Sequence, residues 1–313
     1  MLRYIAKRLL GLVVVLLGVT ILSFVIANVS AVDPAEAYLR MNIAVATEEN
    51  IEAMRQEMGL DQPVPVQYVN WLGDVIKLDF GKSYVSKKDV IDELMSRLPS
   101  TLFLVTAAIV TASLVTSLLG ILSALYRNSW LDKIIHALTL MGASTPQFWL
   151  GYILVLLFSI HFKLLNVTGY GDLKTIFLPA MTLAVPIIGM NVRILRANIL
   201  ENINDDYVLY AKARGLSKQK IIGKHVLKNA AAPMLTIFAQ TFGHTAAGSI
   251  IVENVFSWPG VGNYAISAIL NRDLPVITAY VLIMAVIFVV CNLIADILQI
   301  KINPKLLTES GDL

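Results

Sequence analysis

Residues 204–233 read NDDYVLYAKARGLSKQKIIGKHVLKNAAAP, and they form the most basic stretch of a largely apolar chain. Asn204 or Asp205 can cap a short helix, because a side-chain oxygen at that position accepts from free backbone N–H groups. Gly215 can end that helix, since glycine adopts a positive φ without steric cost. Ser217 can then cap a second helix. The stretch therefore predicts two short helices separated by a glycine turn.

The second helix should have an apolar side and should stop before Pro233. Its apolar side consists of Ile221, Ile222, His225 and Leu227. A basic and partly apolar pair of helices has three interpretations. It can be a solvated loop that its charge retains in the cytoplasm, an amphipathic helix on the membrane surface, or a knob that docks into a partner protein. The order of the residues favours the docking knob.

That order resembles the cytoplasmic loop of ABC-importer permeases, in which Ala-x-x-x-Gly precedes an apolar helix and a proline. The variant DYV-x-x-A-x-A-x-G-L followed by H-x-L-x-N-A is similar to the dipeptide/oligopeptide/nickel permease family. The matching positions are Asp206, Tyr207, Val208, Ala211, Ala213, Gly215, Leu216, His225, Leu227, Asn229 and Ala230. The resemblance implies docking on ATP-hydrolysing subunits through Asp206, Tyr207, Ala211, Ala213, Arg214, Gly215, Leu216, His225 and Leu227.

The composition is that of a membrane protein with several spans. Of the 313 residues, 57% are hydrophobic and 15% are charged, whereas soluble domains have about 25% charged residues. The mean hydropathy is +0.70. The one cysteine, Cys291, lies in an apolar run, which excludes a disulfide framework. A net charge of +3 gives no indication of nucleic-acid binding.

Six apolar runs predict six transmembrane helices. They cover approximately 9–29, 102–126, 134–162, 176–195, 234–256 and 276–300. A cleaved signal peptide is the alternative for the first run, but the run exceeds the about 7–15 residues of a signal's apolar region. The distribution of Lys and Arg places both termini in the cytoplasm, and the resemblance implies that the protein spans the inner membrane of a bacterium.

The sequence thus predicts an all-α membrane protein of the type I ABC-importer permease kind, as the resemblance implies. Its expected parts are a first transmembrane helix (1–29), a small α-rich extracytoplasmic insert (30–98), a five-helix permease core (99–304) with a cytoplasmic coupling loop (204–233), and a cytoplasmic tail (305–313). Within the insert, Thr47 can cap an amphipathic helix that ends at Gly59.

The Gly81-Lys82-Ser83 sequence is similar to the end of a Walker A loop but does not complete one. The motif needs a glycine at position 76, where the chain has Ile76. The chain therefore carries no predicted cofactor site, and ATP is expected on partner subunits.

A second segment, VENVFSWPGVGNYAISAILNRDLPVI at 252–277, matches the same family. Its Glu-Asn pair, its NRD-x-PVI sequence and DPAEAYLR at 33–40 are most similar to the nickel branch. The resemblance implies a second homologous permease, two ATPase subunits and an extracytoplasmic binding protein as partners. The implied solute is nickel, free or chelated, with di- or oligopeptides as the alternative.

Six residues are candidates for lining the solute pathway: Pro146, Asn191, Gly243, His244, Gly248 and Glu253. Pro146 should kink the third span. A histidine in mid-span faces the bundle or a cavity, so His244 is either a transient contact for a cation or a partner in an interhelical hydrogen bond. Glu253 is either a carboxylate at the pathway mouth or a hydrogen-bond acceptor at a helix end, and the second role is favoured.

Other classes of protein have weaker support. The histidines, the cysteine and the carboxylates show no metal-ligand spacing, and no nucleophile–base arrangement predicts an enzyme. A secondary transporter would show inverted repeats and carboxylates at the membrane midplane, and the sequence shows neither. A transport subunit powered by separate ATPases is therefore the predicted function.

Overall fold

The computed structural model describes residues 2–29, 33–42, 47–166, 169 and 172–302. Within these ranges the chain is mostly helical and has no β-strand, although Lys82 and Asp89 form an isolated antiparallel bridge. The predicted cytoplasmic tail, 305–313, lies outside the described residues. The chain divides into two compact units, which we call the insert unit (2–101 and 259–287) and the central unit (102–258 and 288–302).

The insert unit contains the N-terminal helix and three short helices that precede helix α5. Its elements are α1 (Leu2–Val29), α2 (Pro34–Asn42), α3 (Glu48–Glu57), α4 (Val64–Ile76), the start of α5 (Val90–Leu125), α13 (Val261–Leu270) and the start of α14 (Leu274–Ile302). The Thr47 side chain accepts from the Asn50 N–H at 3.4 Å, and Gly59 has φ +65°. The predicted cap and end of α3 are therefore confirmed.

Helix α5 begins earlier than the second predicted span. It starts at Val90 and continues through Pro99, whereas the apolar run predicted a start near residue 102. Asp92 and Glu93 lie in its first turn, where negative charge is favourable beside the free N–H groups of a helix. The amphipathic first turns thus extend the helix beyond its apolar part.

The central unit contains the middle helices and the stretch 204–233, which we call the docking segment after its predicted role. Its elements are the end of α5, α6 (Trp130–Ser144), α7 (Gln147–Leu154), a π-helical stretch (Val155–His161), α8 (Leu173–Ile203), α9 (Asp206–Ala213), α10 (Lys218–Ile221), a second π-helical stretch (Ile222–Val226), α11 (Leu227–Gly248), α12 (Ile250–Val255) and the end of α14. Pro146 separates α6 from α7, and the two parts are bent by 108°. The predicted kink is confirmed.

Helices α6 and α8 pack closely because each helix has a glycine at the contact. A Cβ atom added to Gly189 would lie 2.5 Å from the Thr139 carbonyl oxygen and 2.6 Å from the Ala143 backbone nitrogen. Added to Gly142, it would lie 3.1 Å from the Val185 side chain. Small residues at such contacts let helix backbones approach each other in membranes.

Among the described residues, three helices are long and apolar enough to cross a membrane, in the ranges 90–125, 174–203 and 274–301. The bent pair of α6 and α7 with its π-helical stretch makes a fourth if it counts as one span. Shorter apolar helices cover Leu10–Val25 and Val261–Leu270. Six spans therefore stay a prediction.

Candidate docking segment and pathway residues

The docking segment, residues 204–233, contains the two predicted short helices. The Asp205 side chain accepts from the Asp206 N–H at 2.9 Å, and the Ser217 hydroxyl accepts from the Lys220 N–H at 3.4 Å. Between them Gly215 has φ +76°, and an added Cβ would meet nothing within 4 Å. The predicted caps and glycine turn are confirmed, and the turn needs glycine for its backbone angle rather than for space.

The predicted end of the second helix is wrong. Instead of stopping before Pro233, the chain passes through the π-helical stretch Ile222–Val226 into α11, which contains Pro233 in its interior. Proline removes the donor that would bond the Asn229 carbonyl. Helices in membrane proteins tolerate this when π-type adjustments and packing compensate, and here the π-helical stretch lies in the preceding turns.

The inner side of the docking segment is apolar and holds it against the central unit. Val208, Ala211, Ile221 and Val226 are buried, and they pack in one cluster with residues from the ends of α5 and α8. The other buried members of that cluster are Ala124, Leu195, Ile199, Ala230 and Met234. A displacement of the docking segment would therefore be transmitted to both long helices, because a close-packed cluster transmits strain.

The predicted docking residues divide into two groups by exposure. The exposed ones are Asp206, Ala213, Arg214 and Gly215; the half-buried ones are Tyr207, Leu216, His225 and Leu227; Ala211 is buried. The Tyr207 hydroxyl donates to Asn202 Oδ1 at 3.0 Å. Ala211 and Tyr207 thus fix the segment to the protein, and the exposed group is available to a partner.

Two exposed apolar residues on α9 were missed in the sequence. Leu209 is 66% exposed and Tyr210 is 72% exposed. Helical periodicity could have identified them, because burial of Val208 and Ala211 three positions apart turns the two intervening side chains outward.

An ion pair between Asp132 and Arg196 fixes the ends of α5, α6 and α8, and no local pattern in the sequence predicts it. Arg196 donates through Nε and Nη2 to the two carboxylate oxygens of Asp132, at 2.9 and 2.8 Å. The same carboxylate accepts from Ser123 Oγ at 2.5 Å and from the Asn128 N–H at 2.9 Å. Two parallel N–H···O bonds define orientation as well as proximity, so this network sets the position of α8 just before the docking segment.

The pathway candidates lie in different environments within the central unit. Pro146 is exposed at the break between α6 and α7, and Asn191 is buried on α8. Gly243 is buried, with its Cβ position 3.0 Å from Cys291 Cβ. Gly248 is exposed and an added Cβ would meet nothing within 4 Å. Among the described residues, no hydrogen bond joins these candidates to one another.

His244 and Glu253 differ sharply in exposure. His244 is exposed, and its ring makes an edge contact with Phe288 at 4.8 Å between centroids. Glu253 is fully buried and accepts from Ser249 Oγ at 2.9 Å, while its backbone carbonyl accepts from the Trp258 N–H at 2.8 Å. The His244 imidazole is thus exposed beside Phe288, and the Glu253 carboxylate is enclosed in the α12 region.

In the insert unit, the Gly81-Lys82-Ser83 loop has a structural partner. Asp273 is buried and accepts from Ser83 Oγ at 2.5 Å and from the Tyr84 N–H at 3.1 Å. Burial, together with the charge of Asp273, raises the pKa of Tyr84 to about 12. The Ser83 hydroxyl therefore serves to bind a carboxylate of the same chain.

A second carboxylate reinforces this loop. Glu93, in the first turn of α5, accepts hydrogen bonds from Tyr264 Oη and from Ser86 Oγ, the latter at 2.7 Å. The Arg97 guanidinium lies over the Tyr264 ring, 4.6 Å from its centroid. Loop 81–89, the first turn of α5, α13 and Asp273, which precedes α14, are thus joined within the insert unit.

Comparison with known proteins gives consistent results along the chain. A family described as "Binding-protein-dependent transport system inner membrane component" matches residues 116–308, and its N-terminal companion family matches residues 1–105. The chain is 36% identical over 306 residues to the glutathione transport system permease protein GsiC of Escherichia coli (strain K12), covering 98% of this chain and 99% of that protein. The same permease of Shigella dysenteriae serotype 1 and of Salmonella typhi has equal identity and coverage.

Proposed function

The chain belongs to the family of inner-membrane components of binding-protein-dependent transport systems, and we propose that it is one permease subunit of an ATP-driven importer of short peptides. The family consists of transport subunits, so the chain is a multi-pass transport subunit of the inner membrane rather than an enzyme. Membership implies ATPase and binding-protein partners in general. A second homologous permease and two ATPase subunits complete the proposed assembly.

The docking segment is the proposed contact with an ATPase subunit. Its outer side offers Leu209, Tyr210 and Arg214, which are exposed, and its inner side is buried in the cluster with α5 and α8. Closure of the ATPase subunits on ATP would move the segment, and the packed cluster would pass that movement to the spans. A rigid-body change of this type can alternate access to a pathway between two permeases.

The peptide assignment rests on the relatives. Proteins with 36% identity over nearly the whole chain are named for glutathione, which is a tripeptide with two carboxylates, an amine and a thiol. The sequence comparison with the nickel branch rested on short segments, so the peptide alternative has more support than nickel. Within the described residues, no group of three or more His, Cys, Asp or Glu side chains could hold a metal ion.

Uptake by the complete transporter tests this proposal. The chain would be expressed with its partner permease, ATPase and binding-protein subunits in cells that lack their own peptide importers. The uptake of labelled glutathione, a labelled dipeptide and radioactive nickel would then be measured. We expect peptide uptake that stops when the catalytic glutamate of the ATPase subunit is replaced. Nickel uptake without peptide uptake would overturn the peptide assignment, and uptake that continues with inactive ATPases would overturn the importer assignment.

The role of His244 is tested in the same cells. If a passing nickel ion used the imidazole as a ligand, His244→Ala would lower nickel uptake and leave peptide uptake unchanged. With a peptide solute we expect little change in the uptake of either peptide. The variant's membrane abundance is the control, since the ring also contacts Phe288.

A further inference from the structure

A cavity of about 520 Å³ lies between the docking segment and the ends of α5 and α8. This volume is in the range of about 300–1,000 Å³ typical of ligand sites. Much of the wall is apolar, with Leu200, Ile203, Val208 and Ile222 among its residues. The cavity is therefore shaped by the inner side of the docking segment, opposite the side that presents Leu209 and Tyr210.

The charges around the cavity all have the same sign. Arg127 follows the end of α5, Lys212 lies in the last turn of α9, and Lys218 begins α10, and all three line the cavity. No acidic side chain lines it. Among the described residues, none of the three cations has an ion-pair partner. Three unpaired cations beside an apolar wall form a site for a molecule with an anionic group and a hydrocarbon part.

We propose that the cavity binds an anionic phospholipid of the cytoplasmic leaflet, with its phosphate at the three cations and the start of an acyl chain against the apolar wall. The proposal rests on the cytoplasmic placement of the docking segment given above. Leu125 ends the apolar helix α5 and also lines the cavity, which puts the site at the edge of the membrane. Basic pockets between membrane helices at the cytoplasmic surface bind anionic headgroups.

The site would couple lipid composition to the ATPase contact. A lipid in the cavity would fill the space behind α9 and α10 and neutralise cations on both helices, so it would fix the position of the docking segment. Two other occupants fit the cavity less well. Soluble phosphate lacks the hydrocarbon part that the apolar wall accommodates. A segment of the ATPase would meet the exposed outer side of α9 before it reached the cavity.

The binding test uses the purified complex. The complex is extracted and exchanged into nanodiscs of phosphatidylcholine with a small fraction of phosphatidylglycerol. After gentle detergent extraction, native mass spectrometry counts the phosphatidylglycerol molecules that stay bound to the complex. We expect the double variant Arg127→Gln/Lys218→Gln to lower the apparent affinity for this lipid by about fivefold per cation removed, which corresponds to about 1 kcal/mol for each basic residue. Arg127→Lys should keep the wild-type affinity.

A matched control removes equal charge nearby. Lys133→Gln/Lys220→Gln changes two exposed lysines that do not line the cavity, and it should leave lipid binding unchanged. Equal affinity in the two double variants, or equal retention of phosphatidylcholine, would overturn the proposal. Displacement of the lipid by millimolar inorganic phosphate would assign the site to a soluble anion instead. If a cross-linker at position 203 reacted with an ATPase subunit rather than with lipid, the cavity would be assigned to a segment of that ATPase subunit. The count requires no transport, so it is independent of the solute.

Discussion

At the residue scale, the turn between α9 and α10 depends on one backbone angle, that of Gly215. Its φ of +76° lies in the left-handed region, while the surrounding space is open. A non-glycine residue there costs roughly 1–2 kcal/mol, and asparagine tolerates the region better than a β-branched residue. Substitution should therefore act through the turn between α9 and α10 and leave the packing of the segment intact.

We expect Gly215→Val to reduce ATP-driven uptake severalfold at normal membrane abundance, and Gly215→Asn to stay near wild type. The pair separates backbone strain from the mere presence of a side chain, because both replacements add a Cβ atom but asparagine tolerates a positive φ better than valine does. The measurement is uptake together with the amount of ATPase that co-purifies. Equal activity of the two variants would show that the turn does not govern docking.

The Asp132–Arg196 pair is the second feature at the residue scale. Asp132 is 8% exposed and Arg196 is 27% exposed in their side chains. Removal of one partner of a buried pair leaves an unpaired charge and costs about 3 kcal/mol or more, whereas removal of both with apolar replacements is much less harmful.

We predict that Asp132→Ala destabilises the chain by about 3 kcal/mol, and that Asp132→Ala/Arg196→Leu recovers part of this loss. Thermal melting of the detergent-solubilised complex measures both, in a double-mutant cycle. Strict additivity of the two single variants would show that the network contributes nothing as a pair.

At the scale of elements, the contact between α6 and α8 depends on Gly189. Its Cβ position would overlap backbone atoms of Thr139 and Ala143, and backbone cannot rotate away as a side chain can. The two helices would have to separate, with the loss of the packing that positions α8.

We therefore expect Gly189→Ala to lower the yield of correctly folded chain markedly, as measured by size-exclusion chromatography of a fluorescent fusion. Gly18→Ala is the control, because Gly18 lies in helix α1 and an added Cβ there would meet nothing within 4 Å. A wild-type elution profile for Gly189→Ala would show that the helices can separate without harm.

Local chemistry explains what could be predicted of these elements. The caps at Thr47, Asp205 and Ser217 depend on residues within three positions, so the sequence was sufficient. The continuation of α11 through Pro233 depends on packing and on the π-helical stretch before it, which no local signal reveals. Asp132 meets Arg196 across 64 positions of the sequence, and only the packing of α6 on α8 brings them together.

At the scale of the whole molecule, the orientation in the membrane is the main proposal. Six spans with both termini inside place the docking segment in the cytoplasm and loop 81–89 outside. Four helices or helix pairs pass the length and apolarity criteria within the described residues. The remaining two spans depend on the apolar runs of the sequence, and the side assigned to each loop depends on the distribution of its Lys and Arg residues.

Single-cysteine labelling in a Cys291-free background tests this orientation. Cysteines at Arg127 and Lys218 should react with a membrane-impermeant reagent in inside-out vesicles only, and cysteines at Lys82 and Arg272 in right-side-out vesicles only. All four positions are exposed, whereas Ser83 is buried and would give a false negative. Reaction at position 82 from the cytoplasmic side would overturn the six-span arrangement.

The exposed pair Leu209 and Tyr210 has a consequence for the degradation of the chain before it is assembled. A subunit made in excess of its ATPase would present this pair to the cytosol, where quality-control proteases recognise apolar side chains. Such surveillance would keep the two subunits at equal numbers without any regulation of their synthesis. We expect the chain to have a shorter half-life in pulse–chase experiments when the ATPase is omitted, and we expect Leu209→Ser/Tyr210→Ser to lengthen that half-life. An unchanged half-life would show that other surfaces determine how fast the chain is degraded.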